Sequence, residues 1–313
     1  MKKTEFTLVS QIDGLSLSCL IAEPEDEEPR AVVMLIHGIM EHKGRYSSFM
    51  EFLTDNGFAC AICDQRGYGL SVKSADDNGF TYGAGADGVL KDMKQFEDEI
   101  LRRYPAKKLF VFGHSMGALI AMAYTKRWSK NLNGVILSGL PADNPAAGAG
   151  KAYLKMKKTF KGAHYRDESV NKLMFKSYCT PFKGETSPYC WMNSDPGKVK
   201  EYEDDPLCGQ LGTLDGYLSL LDLMSEAYDK KGWDKVSGML PVLICVGADD
   251  PCAEGEKGAA EGEKFLKSMG LVRTEHVSYE GMRHEIHNER ENAIVYQDLR
   301  TLLDIWTNEM TDK

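Results

Sequence analysis

The pentapeptide Gly113-His114-Ser115-Met116-Gly117 sets a serine between two glycines. A serine hydroxyl is a weak nucleophile at neutral pH. It becomes effective beside a base that a third group orients, and the chemistry it then performs is acyl transfer. The local context suits that role. Leu109-Phe110-Val111-Phe112 is apolar and β-prone, and residues 118–124 form a run of small and apolar helix formers. Strand, sharp turn and helix together predict a nucleophile elbow, with the serine pushed up at the end of its strand. The flanking glycines fit a turn too tight for a Cβ on either side of a strained central residue.

An acid and a base should stand later in the chain, each on a loop after a strand, in the order Ser, Asp or Glu, His. The apolar run 242–246 is followed by Gly247-Ala248-Asp249-Asp250-Pro251, and Thr274–Tyr279 by Glu280-Gly281-Met282-Arg283-His284. The acid is therefore Asp249 or Asp250, with Asp143, after the short strand 135–138, as a third choice. His284 is the expected base. His276 lies within a strand and is read as a packing residue, and His287 as a surface or capping residue. The tetrahedral intermediate carries negative charge on the former carbonyl oxygen, so two preorganised N–H donors should face it. The amide of Met116, at the helix N-terminus, is one.

Competing motifs fail on context. His284-Glu285-Ile286-His287 sets its histidines three apart, not four, so it is no zinc-protease helix. Gly83 to Gly88 spells G-x-G-x-x-G without a buried strand before it, which argues for a helix-entry loop rather than a dinucleotide site. Cys60 and Cys63 are spaced C-x-x-C on a strand, where residues three apart face opposite sides. No cofactor and no metal is expected. Asp64 and Arg66, in Asp64-Gln65-Arg66-Gly67-Tyr68-Gly69, are expected to brace a glycine turn.

The elements that must hold these groups alternate. Residues 5–11 and 15–21 around Asp13-Gly14 predict a hairpin. Ala31–Ile36 and residues 58–62 are continuous apolar runs, as strands buried on both faces of a parallel sheet are. Helical spacing covers residues 47–56, 83–104, 258–269 and 291–309, the last with Ile294, Leu299, Leu302, Leu303 and Trp306 inward. The expected fold is α/β: a mostly parallel sheet flanked by helices. No buried strand is evident from about 141 to 233. The chain is therefore read as a core of residues 1–140 and 234–313 with a helical cap of residues 141–233. Leu214, Tyr217, Leu218, Leu221 and Met224 could either pack on the core or line an acyl channel.

The motifs in combination resemble the α/β-hydrolase superfamily, and within it the monoacylglycerol lipase and lysophospholipase-like, serine aminopeptidase-type branch. The matching residues are His37-Gly38, Glu41-His42 and Gly44-Arg45-Tyr46, then Asp64, Arg66-Gly67, Gly69, Ser71 and the serine pentapeptide. Trp191, Asp195 and Asp205-Pro206-Leu207-Cys208 look like a bacterial cap. Gly247, Asp250-Pro251, Arg283-His284-Glu285-Ile286 and Asn288-Glu289 complete the set. Tyr68 departs from the histidine usual in the family, at a structural position. The resemblance implies a triad of Ser115, Asp250 and His284, favours Asp250 by its neighbouring proline, and puts the second oxyanion donor at the amide of Ile39. It implies a carboxylic ester hydrolase acting on monoacylglycerols, lysophospholipids or related small acyl esters. A proline-type aminopeptidase or thioesterase is the alternative on the same fold, and a ligand-binding protein on a hydrolase scaffold the non-enzymatic one, though that should have lost a triad member. An epoxide hydrolase would carry Asp where Ser115 stands.

Bulk properties narrow the partners. The 313 residues carry a net charge of −9, which disfavours a nucleic-acid groove. No apolar run approaches the roughly 20 residues of a membrane span, and no apolar segment follows Lys2-Lys3. A soluble, cytoplasmic protein is expected. Five lysines of residues 151–161 lie among Tyr153, Leu154, Met156 and Phe160. They predict a solvated helix face or, as a sharper alternative, a weak peripheral contact with anionic lipid surfaces.

Overall fold

The computed structural model describes residues 1–309. In chain order the elements are β1 (Lys2–Val9), β2 (Ser16–Glu23), β3 (Ala31–Ile36), α1 (Ser47–Asp55), β4 (Phe58–Cys63), α2 (Gly85–Arg103), β5 (Lys108–His114), α3 (Met116–Trp128) and β6 (Leu132–Ser138). After them come α4 (Ala147–Lys161), α5 (Glu168–Phe175), α6 (Pro196–Asp204), α7 (Leu214–Tyr228), β7 (Val242–Gly247), α8 (Gly255–Ser268), β8 (Thr274–Tyr279) and α9 (Asn292–Asn308).

The strands form one eight-stranded sheet in the order β1-β2-β4-β3-β5-β6-β7-β8. The β1–β2 and β2–β4 pairs are antiparallel and all others parallel. Every residue of β3, β4 and β7 is buried, because helices cover both faces. Alternate side chains of β3 divide accordingly. Val32, Met34 and Ile36 join the core under α2, α3 and α8, and Val33 and Leu35 the core under α1 and α9. Cys60 and Cys63 fall into opposite cores; Cys63 instead meets Cys19 of the neighbouring strand, Sγ to Sγ at 3.2 Å.

One expectation about a helix changes, and one alternative is resolved. On α9, Ile294 is 56 % exposed and Val295 takes the buried place, because Val295 stands four residues before the buried Leu299 and shares its face, whereas Ile294 stands five before it. On α7, Leu220, Leu223 and Ala227 join the main core beside α3. Leu214, Tyr217, Leu218 and Leu221 cluster with Leu154 of α4 and Val170 of α5, with Met224 packed against them. The helix is apolar nearly all round because it is sandwiched between the sheet's helices and α4 and α5.

Between β6 and β7 the described elements are helices, and side-chain caps start three of them. Asp167 accepts from the amides of Ser169 and Val170, Asp195 from Gly197 with Pro196 behind it, and Thr213 from Gly216. Among the described residues no helix is long and apolar enough to cross a membrane.

Strand order locates the functional end. From β3 the chain moves one way, to β4; from β5 it moves the other, to β6. The loops leaving β3 and β5 therefore part, and a crevice opens between them at the C-terminal ends of the strands, where α/β sheets bind ligands.

Candidate active site

Ser115 sits at that crevice, between β5 and α3. Its backbone has φ 55° and ψ −119°, a region that non-glycine residues rarely enter and that costs about 1–3 kcal/mol. Hydrogen bonds oppose the strain. The Ser115 N–H donates to the Ser138 carbonyl at 2.9 Å, and the Ser115 carbonyl accepts from Ala118 and Leu119. The glycines are sterically required. A Cβ on Gly113 would lie 2.2 Å from the Gly117 carbonyl oxygen, and one on Gly117 would lie 2.0 Å from that of Ile36.

The loops after β7 and β8 bring Asp250 and His284 together. The Nδ1 of His284 lies 2.7 Å from Oδ2 of Asp250, and both residues are almost fully buried. The other carboxylate oxygen, Oδ1, accepts from the amides of Cys252 (2.8 Å) and Ala253 (3.2 Å). This fixes the carboxylate and leaves Oδ2 to the imidazole. Burial alone would lower the His284 pKa; the Asp250 charge and hydrogen bond, helped by Glu285 and Glu41, outweigh it and raise it. The Nε2 of His284 is buried with no hydrogen-bond partner among the described residues. Asp249 and Asp143 are both exposed, and the carboxylate hydrogen-bonded to His284 is that of Asp250.

The loop after β3 carries Ile39. The preceding amide, that of Gly38, donates to Oε1 of Glu41, which also accepts from the Tyr46 hydroxyl at 2.9 Å. Glu41 thus folds the loop that carries Ile39 back on itself. The Met116 amide belongs to the first turn of α3, where no earlier carbonyl of that helix can take it.

A buried charge cluster, to which the motifs assigned no role, ties these loops together. Arg45 bonds Oε2 of Glu41 at 3.1 Å and grips both oxygens of Glu285, one at 2.8 Å. Its guanidinium lies 4.8 Å from the centre of the Tyr202 ring on α6. One arginine between two acids links the β3 loop, the His284 loop and the helices beyond β6. Its own burial opposes the charge, but the two glutamates raise its pKa well above the usual arginine range.

Two histidines are placed differently from expectation. His287 is fully buried, stacked on Tyr46 and edge-on to His114, because the turn Ile286–Asn288 tucks beneath the site; burial pushes its pKa down to about 4. His276 is not an apolar packing residue. It lies at the edge strand between Glu263 and Glu256 of α8, whose hydrogen bonds and charges raise its pKa against partial burial. The Asp64 turn is as expected. Asp64 accepts from the Lys43 amide and ammonium and from Leu70, while Arg66 bonds Asp92 and Asp13. Tyr68 is buried edge-on to His37.

Ser115 and His284 line a cavity of about 490 Å³ whose apolar wall includes Ile39, Phe175, Trp191 and Met192. The segment around Trp191 is stitched to the His284 loop. The Glu285 amide donates to the Met192 carbonyl at 2.8 Å, Arg283 donates to the Cys190 and Asn193 carbonyls, and the Trp191 ring centre lies 4.8 Å from that of His284. The five α7 residues that could have lined an acyl channel do not border this cavity.

His42, Asp205 and Cys208 offer ligand atoms within 4.8 Å of one another, the only such grouping among the described residues. Their chemistry suits a bridge better than a metal. His42 Nε2 and Asp205 Oδ2 are 2.9 Å apart, and burial raises the Cys208 pKa despite nearby Arg45, which disfavours the thiolate a metal requires.

A serine on a strained elbow, a histidine–carboxylate pair and a sheet of this order define an α/β-hydrolase. Residues 27–291 match the family described as serine aminopeptidase, S33, and the chain belongs to that family. It is 24 % identical over 282 residues to the monoacylglycerol lipase of Mycolicibacterium smegmatis, covering 88 % of each chain. A thermostable carboxyl esterase from Bacillus coagulans, solved with glycerol, superposes with a TM-score of 0.91 at 24 % identity, covering 98 % of this chain and 99 % of that one. A soluble variant of the Saccharomyces cerevisiae monoglyceride lipase gives a TM-score of 0.77 at 21 % identity, over 99 % and 97 %. The chain is a carboxylic ester hydrolase of the monoglyceride-lipase-like branch.

Proposed function

We propose that this enzyme hydrolyses small acyl esters, of the monoacylglycerol or lysophospholipid class, through an acyl-enzyme on Ser115. His284 Nε2 takes the Ser115 proton as Oγ attacks the carbonyl carbon, and returns it to the alcohol that departs. Asp250 orients His284 and stabilises its charged form. The amides of Ile39 and Met116 receive the oxyanion. Water, deprotonated by His284, then releases the acid. The observation that carries this reading is the buried His284–Asp250 contact of 2.7 Å at the cavity that also receives Ser115. In this scheme residues 141–233 form the cap over a core of residues 1–140 and 234–313.

Fluorophosphonate labelling should place one adduct on Ser115. A panel of esters, thioesters and aminoacyl amides should show the esters turned over fastest. Amides cleaved faster than esters would favour an aminopeptidase, the reading suggested by the family's own description.

The cap reading carries a second expectation. On α4, Phe160 is 81 % and Met156 53 % exposed among the lysines. Hydrolysis of substrate in anionic vesicles should fall as NaCl rises from about 0.05 to 0.5 M, because the Debye length shrinks severalfold. Hydrolysis in zwitterionic vesicles should hold steady. Salt-insensitive activity on the anionic vesicles would remove the electrostatic contact.

A further inference from the structure

We infer that Tyr202 is a positioning residue: its hydroxyl, with the Gly209 amide, holds the loop after β3 in a strained turn that sets the Ile39 amide against the forming oxyanion. The inference rests on the hydrolase reading above, with Ile39 as an oxyanion donor. The turn is centred on Ile39 and Met40. Met40 has φ 57°, in the left-handed region where a side chain is strained and glycine is the ordinary choice. What holds it there comes from outside the loop. Its carbonyl accepts from the Tyr202 hydroxyl at 2.9 Å and from the Gly209 amide at 3.0 Å. Its side chain, 5 % exposed, joins the buried cluster of Leu154, Leu214, Tyr217 and Leu218. Two residues on, His42 meets Asp205 at 2.9 Å. All of these partners lie between β6 and β7.

The strain has a use at this position. A positive φ at Met40 turns the chain sharply enough for the Glu41 carboxylate to reach back to the Gly38 amide, which keeps the peptides on either side of Ile39 in one orientation. Relaxed toward an ordinary φ, the turn opens, Glu41 leaves Gly38, and the Ile39 amide swings away from the cavity that Gly38, Ile39 and Ser115 line. An oxyanion donor acts only from its exact place, so a small displacement costs rate rather than substrate binding. Strain at a functional site persists only where the surroundings over-determine it. Here the surroundings are the Tyr202–Gly209 segment, so residues beyond β6 complete a site that the core alone leaves unsupported.

The test uses the full chain, p-nitrophenyl butyrate and a trifluoromethyl ketone of matching chain length, whose tetrahedral adduct carries the oxyanion charge. Tyr202→Phe keeps the ring, and with it the contact with Arg45, and removes only the hydroxyl. It should lower kcat about tenfold with KM within about twofold, and weaken the ketone by the same factor as kcat/KM. The defect should depend on strain. In a Met40→Gly background, where the left-handed turn is unstrained, Tyr202→Phe should cost less than about twofold. In a Met40→Leu background, which keeps the strain and most of the packing, it should again cost about tenfold. A Tyr202→Phe enzyme with wild-type kcat, a defect in KM alone, or a loss of equal size in both Met40 backgrounds overturns the positioning role, while hydrolysis by wild type still upholds the enzyme reading. Failure of wild type on p-nitrophenyl butyrate and on octanoylglycerol overturns both.

Discussion

Replacing Ser115 by alanine is expected to lower ester turnover by about 10⁶-fold, the scale seen when a nucleophile is lost from a cooperating triad. The substitution removes one oxygen and little else. Alanine can hold the same backbone bonds, from the amide to the Ser138 carbonyl and from the Ser115 carbonyl to Ala118 and Leu119. The residue's φ of 55° is as strained for alanine as for serine, so the elbow neither gains nor loses much. The thermal midpoint should stay close to wild type while kcat collapses and the fluorophosphonate adduct disappears from the mass spectrum. A variant that keeps its activity would show that the nucleophile lies elsewhere.

Asp250→Asn should cost about 10⁴-fold in kcat, for a reason written in the hydrogen bonds. Oδ1 of Asp250 accepts two backbone amides, from Cys252 and Ala253. In the variant the carboxamide oxygen must take that place, since an NH₂ there would face two donors. The NH₂ is then aimed at Nδ1 of His284, now 2.7 Å from Oδ2. Nδ1 must present a lone pair, so the ring proton moves to Nε2, and Nε2 cannot accept the Ser115 proton. The pH profile should report the same change. In wild type, burial lowers and the Asp250 charge raises the His284 pKa, and the carboxylate wins. Activity needs neutral His284, so it is lost as pH falls through that value, which lies above that of an unperturbed histidine. Without the carboxylate charge, burial prevails, and the acid limb of residual kcat/KM should move to lower pH. An unshifted limb would count against His284 as the base that Asp250 governs.

The tight turn at Ser115, the strand-end loops that carry Asp250 and His284, and the α/β layering were legible in the chain because each depends on local spacing. Glycines two residues either side of Ser115 mark a turn with no room for a Cβ. Apolar runs such as Ala31–Ile36 mark strands buried on both faces, and the loops after Val242–Gly247 and Thr274–Tyr279 follow from strand ends. What depends on distance through space was not legible. His287 reads as a surface residue from its neighbours, yet Tyr46, with Phe112 and His114 of β5, closes over it. The Arg45 cluster joins residues 240 apart in the chain, and no local pattern reports which charges will share a buried site. The α7 stripe is apolar whether it faces a core or a cavity; only the placement of α4 and α5 decided that it packs. Short-range sterics and periodicity thus determined where Ser115, His284 and an aspartate at 249 or 250 stand at strand ends, and tertiary packing decided what surrounds them and which aspartate meets His284, since burial and charge pairing belong to the assembled fold.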